Sequence, residues 1–167
     1  LDEGADMLDL GAQSTRPGAE VLGPEAEWQR LEPVLVALKK TQPDAIVSVD
    51  TFHAEVARRA LAEGADVIND VSGGDADPDM WAVVAKARAP YVLTHMQGTP
   101  TTMQDNPTYD DVVHEVVTHL QRRVHAAYQA GVTDVVADVG FGFGKTVAHN
   151  YALLDALDQF HELQCPL

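Results

Sequence analysis

Cations are scarce in this sequence: 11 Lys and Arg stand against 26 Asp and Glu, for a net charge of −15. That balance excludes a general polyanion-binding surface, so nucleic acid is not an expected partner. Any anionic ligand has to be held by a local cation, a metal or backbone amides. The single Cys165 cannot close an internal disulfide. The opening residues show no basic, apolar, small-residue succession of a secretory signal, which makes the cytoplasm the expected location. No apolar run approaches the ~20 residues of a membrane span, so membrane partners are excluded too. Signatures of common catalytic sites are also missing. Gly-Lys-Thr at 144–146 lacks the P-loop glycine, because Val139 stands in its place. His114-Glu115 is followed by His119 at i+5, which misses the zinc-helix spacing. No Gly-x-Ser-x-Gly elbow occurs, and no nucleophile stands out.

What remains is an ordinary globular composition, 46% hydrophobic over 167 residues, enough for one domain. A repeated join organises it. Leu1–Gly11, Leu61–Val71 and Tyr128–Gly140 each read as helix end, glycine turn and apolar strand, with Gly4, Gly64 and Gly131 at the turn. Ala45–Asp50 and Pro90–Met96 add two more apolar runs, giving five strands. Between them, apolar residues recur at helical spacing over 109–130 (Val112, Val116, Val117, Leu120, Val124) and 53–63. Pro24 and Pro78 read as first-turn prolines of helices over 25–40 and 79–87, and Pro33 as a kink in the first. Nearly continuous apolar strands alternating with helices predict a parallel sheet. A (β/α)₈ barrel uses about 31 residues per unit, so this length supplies about five units. A five-strand doubly wound sheet fits the count as well. The edges favour the barrel: the chain starts with Leu1 in a helix's last turn and stops at Cys165-Pro-Leu167, where a sixth strand would begin. The expectation is an incomplete α/β TIM barrel, one domain over 1–167, with the first strand and the last two units missing.

Each strand is followed by polar residues: Asp9–Arg16, Asp50-Thr51, Asn69-Asp70, His95-Met96-Gln97 and Asp138–Lys145. In a parallel barrel those ends form the ligand-binding rim. Asp50, Asn69 and Asp138 supply carboxylate acceptors and one amide, which suits a flat heterocycle bearing amino and ring N–H groups, such as a guanine-like or pterin-like edge. Taken singly, each also fits a helix cap or a strand-end hydrogen bond. Ser14, Thr15 and Arg16 suit a phosphate or carboxylate, or a local pair of Arg16 with Glu20 or Glu25. The loop Gly140–Lys145 reads as flexible, letting backbone approach a ligand, with Phe143 available to cover it. His53, His125, His149 and His161 read as surface or capping groups.

The strings Asp9-Leu-Gly-Ala-Gln-Ser-Thr-Arg-Pro-Gly-Ala19, Ser48-Val-Asp-Thr-Phe52, Ile68-Asn-Asp-Val-Ser-Gly-Gly74, His95-Met-Gln-Gly-Thr-Pro100 and Asp138-Val-Gly-Phe-Gly-Phe-Gly-Lys145 together resemble the dihydropteroate synthase family. The matches run from residue 4 to about 154. The resemblance implies a TIM barrel that joins 6-hydroxymethyl-7,8-dihydropterin pyrophosphate to p-aminobenzoate, releasing pyrophosphate with Mg²⁺ assistance. It implies that Asp50, Asn69 and Asp138 hold the pterin beside Gly142 and Phe143, and that Ser14, Thr15 and Arg16 lie in the loop meeting p-aminobenzoate and pyrophosphate. Asp50, Asp138 and Arg16 would carry the catalysis, and the full-length protein would be a homodimer. No metal ligand is expected in this segment, because the family's metal and phosphate residues belong to its first and last strands. The segment alone is expected to be inactive and to fold poorly. Two departures stand out: Val139 replaces the family's Pro, which would loosen Asp138, and Thr94 stands where Met is common, with no polar contact at stake. Two alternatives share the pterin residues: a pterin-dependent methyltransferase domain, against which Thr15 and Arg16 speak, and a non-catalytic pterin-binding homologue.

Overall fold

A computed structural model of the chain describes residues 4–14 and 21–167. The elements alternate: β1 (Met7–Gly11), α1 (Pro24–Thr41), β2 (Ile46–Asp50), α2 (Ala54–Ala62), β3 (Val67–Asp70), α3 (Met80–Ala87), β4 (Tyr91–Thr94), α4 (Val112–Gln129), β5 (Val135–Asp138) and α5 (Val147–Asp155), then a 3₁₀ turn over Leu157–Leu163. The strands are all parallel and lie in the order β1-β2-β3-β4-β5. Strictly sequential order is that of a barrel wall, whereas a doubly wound sheet reverses direction at a switch point. Past the 3₁₀ turn the chain returns to β5, where the Ala137 amide donates to the Pro166 carbonyl at 2.8 Å. That contact falls where the sequence leads one to expect further pairing.

Side chains alternate across the sheet. On one face Val47, Val49, Ile68, Tyr91, Leu93, Val135 and Ala137 are buried under the helices, against Leu31 and Leu35 of α1, Val56 and Ala60 of α2 and Val116 and Leu120 of α4. On the other face Met7 and Ile46 stand 46% and 50% exposed. The glycine turns form as the repeat implies. At Gly64 and Gly131 φ is +98° and +95°, and the residues after them close the preceding helices, with Ala65 N–H donating to Ala60 and Val132 N–H to Ala127.

Element ends shift from the sequence expectation where capping decides them. Asp111 accepts the His114 amide at 3.0 Å, so α4 opens at Val112 and Tyr109 is left outside it. Pro24 does occupy the first turn of α1, which continues as one helix through Pro33 although that nitrogen has no hydrogen to donate. Pro78 is not a first-turn proline: it lies in the turn closed by Met80 N–H to the Asp77 carbonyl, and α3 begins at Met80. Among the described residues no helix is long and apolar enough to cross a membrane.

Candidate pterin site at the strand ends

Register brings the expected residues together. Asp50 is the parallel partner of Asn69, and Thr94 that of Asp138. Because alternation is preserved across paired strands, Asp9, Asp50, Asn69, Thr94 and Asp138 all point to the open face, near the C-terminal ends of the five strands. Asn69 donates its amide to an Asp9 oxygen at 3.2 Å. Asp9 thus touches the set, although the sequence marks it only as the start of a rim segment and of a motif string, with no role of its own. Its inward alternation, two residues before Gly11, is the signal that could have singled it out.

Asp50 is half-buried, and its side chain has no hydrogen-bond partner among the described residues. Burial, then the like charges of Asp9, Glu27 and Asp70, push its carboxyl up to about 7. Asp138 is held differently. One oxygen accepts the Gly140 amide at 2.9 Å and the other the Thr94 hydroxyl at 3.2 Å. Both oxygens of this carboxylate, which precedes Val139, thus have a protein donor, and Thr94, read from the sequence as having no polar contact at stake, supplies one of them.

The rim is narrower than the sequence suggests. Asp70 follows Asn69 and so points the other way, into the helix layer, where it accepts from Ser72 N–H and O–H, Gly74 N–H and the Tyr91 hydroxyl (2.7 Å). Burial still raises its carboxyl, and its function is to brace the β3–α3 turn. Arg123 of α4 clasps the same turn through the Gly73 carbonyl at 2.6 Å and Asp75 at 2.9 Å, with its guanidinium 4.4 Å from the Trp81 ring centre.

His95 also turns toward the helix layer. Its ring meets Lys145 Nζ at 2.8 Å and packs edge-on against His119. Burial, then Lys145 and His119, hold the imidazole down to about 3, so it is neutral. Lys145 is 3% exposed and donates toward the carbonyls of Gly140 (2.9 Å), Phe143 (3.0 Å) and His95 (3.1 Å). Burial lowers its ammonium to about 7, against the pull of Asp138. With Tyr109 O–H on the Gly144 carbonyl and Gln104 on that of Gly142, the glycine-rich loop is pinned, where its composition suggests flexibility. Gly140 is required there, because at φ +69° a Cβ would stand 2.0 Å from the His95 carbonyl oxygen. Gly142 is exposed and Phe143 partly buried on this loop at the rim.

Ser14 is described and exposed; Thr15 and Arg16 lie outside the described residues. His53 is not simply a capping group. Its ring nitrogen lies 2.8 Å from Glu27, which is fully buried and whose second oxygen has no partner among the described residues. Nothing in the sequence marks that pair. His149 does cap α5, in a reciprocal box with Thr146, and His125 and His161 are exposed. A cleft of about 870 Å³ lies between α2 and α3 on the outer flank, lined by Leu61, Val83 and the charged Arg58 and Lys86, away from the strand ends.

An inward-facing carboxylate–amide–carboxylate set on parallel strands is the arrangement expected for a pterin edge, and the chain matches the family of pterin binding enzymes over residues 1–167. It belongs to that family. A dihydropteroate synthase of Synechocystis is 41% identical, the match covering 98% of this chain and 57% of that protein. Among solved structures, a Yersinia pestis dihydropteroate synthase with a sulfonamide drug has a TM-score of 0.94 at 38% identity, over 99% of this chain and 60% of that one. A Xanthomonas albilineans dihydropteroate synthase with 4-aminobenzoic acid has a TM-score of 0.91 at 45% identity, over 99% and 58%. The chain thus spans under two thirds of the length of these relatives, and its five βα units match that portion of a TIM barrel.

Proposed function

We propose that residues 1–167 form the pterin-binding part of the TIM-barrel domain of a dihydropteroate synthase, which condenses 6-hydroxymethyl-7,8-dihydropterin pyrophosphate with p-aminobenzoate. The observation that carries this reading is the common inward face of Asp50, Asn69 and Asp138 at the strand ends. The names of the relatives support it.

The donor edge of the pterin would meet the two carboxylates and the Asn69 amide, with Gly142 and Phe143 at its side. In the reaction the CH₂–O bond breaks and its electron pair leaves with pyrophosphate. The aryl amine then gives its lone pair to the methylene carbon and releases a proton. Asp50 and Asp138 would offset positive charge developing on the ring and methylene, while Ser14, Thr15 and Arg16 would meet p-aminobenzoate and the departing anion. Among the described residues no group of three or more His, Cys, Asp or Glu is placed to hold a metal ion. Mg²⁺ assistance belongs to the proposal on family resemblance alone, is assigned to no residue of this segment, and no step above passes through it. Homodimer assembly belongs to the proposal on family resemblance alone.

The full-length protein should form dihydropteroate from the two substrates. Asp50→Ala and Asn69→Ala should each weaken binding of the dihydropterin pyrophosphate by ~10-fold or more in calorimetry, the cost of an unpaired donor in a site built to accept it. Unchanged affinity in both variants would sink the assignment.

A further inference from the structure

Thr94 is 1% exposed and sits beside Asp138 in parallel register, on the face that carries Asp9, Asp50 and Asn69. A β-branched side chain in a strand has few rotamers, and packing selects one here. The methyl lies under the glycine-rich loop, since a Cβ built at Gly140 would be 3.2 Å from Thr94 Cγ2, and the hydroxyl is left to donate to Asp138 Oδ2 at 3.2 Å. Asp138 Oδ1 takes the Gly140 amide at 2.9 Å. Each oxygen therefore has one protein donor, and a carboxylate has about four lone-pair positions. Two donors on opposite oxygens fix the plane of the group, and two lone pairs remain for a ligand.

We propose that Thr94 is a positioning residue: its hydroxyl sets the plane of the Asp138 carboxylate so that the unused lone pairs face the N–H groups of the bound ring. The turn after Asp138 carries Val139, with no proline ring to restrict its backbone, so the direct hydroxyl contact supplies the constraint. Gly140, the second donor, is held in turn by Lys145. The inference rests on the pterin reading above and deepens it.

The test uses the full-length protein and calorimetry with 6-hydroxymethyl-7,8-dihydropterin pyrophosphate in the absence of p-aminobenzoate. Wild type is measured first, and no binding there overturns the pterin reading and this inference together. Given binding, Thr94→Val, which keeps the shape and removes the hydroxyl, should weaken affinity about tenfold, the value of one hydrogen bond to a charged acceptor. KM for p-aminobenzoate and the melting temperature should stay near wild type, a split that a general loss of structure would not give. Thr94→Ser should restore affinity to within about twofold, because it returns the donor. In an Asp138→Asn background Thr94→Val should add little further loss. Unchanged affinity in Thr94→Val, or full additivity with Asp138→Asn, overturns the role of Thr94 while leaving the pterin reading standing. If the valine variant does not fold, Thr94→Ala against Thr94→Ser decides: equal losses assign the effect to the methyl and overturn the proposal.

Discussion

Burial and three neighbouring carboxylates hold Asp50 partly protonated at neutral pH, whereas an unfolded chain would ionise the same group near pH ~3.9. The folded state then binds the extra proton between those values, so stability falls as pH rises from about 4 to about 7, and the whole penalty persists above that range. Asp50→Asn removes it. In the full-length protein the substitution should raise stability by about 2 kcal/mol at pH 8, with the gain shrinking toward zero near pH 4, as read by urea unfolding at several pH values. A gain that is independent of pH would contradict burial and like charge as its origin. The same residue is expected to lose pterin affinity when changed, so the group that destabilises the fold is the one the ligand needs. In the proposed complex a donor-rich ring would supply the hydrogens that no described side chain gives Asp50. Asp138, by contrast, has its donors already, from Thr94 and Gly140.

At the scale of elements, the β4 and β5 exits act as one unit. Lys145 gathers three carbonyls from two loops, and Tyr109 takes a fourth at Gly144. Among the described residues no carboxylate touches the ammonium, so its worth lies in satisfying buried acceptors rather than in an ion pair. Lys145→Met keeps the stem and orphans those carbonyls. It should cost the full-length protein about 3 kcal/mol by urea denaturation, and a loss under ~0.5 kcal/mol would show that the loop holds itself. The β3 exit has its own brace, in which Asp70 accepts from the turn's amides and Arg123 donates to its Gly73 carbonyl. The contacts of Arg123 with Gly73 and of Lys145 with His95 each span 50 residues of chain, a separation that no local pattern bridges.

The whole molecule is a sheet covered on one face. Burial under the helices accounts for the core, while Met7 and Ile46 on the other face are about half exposed. Exposed apolar side chains on an uncovered sheet face favour association or a loosely packed state. The 167-residue chain expressed alone should therefore bind a hydrophobic dye and unfold with low cooperativity, and the full reading frame should do neither. A sharp, dye-free transition in the short chain would show that the open face is tolerated.

Periodicity and turn chemistry determined the element order, the parallel sheet and the rim, because apolar spacing and glycine turns are local and every parallel wall presents its strand ends to the same side. The ends of the apolar runs also marked Asp50, Asn69 and Asp138, whose common face the strand register then sets. Only the tertiary structure decided that Asp70 meets Tyr91, that Lys145 joins the glycine-rich loop to His95, that His53 pairs with buried Glu27 and that the Thr94 hydroxyl donates to Asp138. Those contacts join groups far apart in the chain, and their existence depends on which neighbours burial leaves without water.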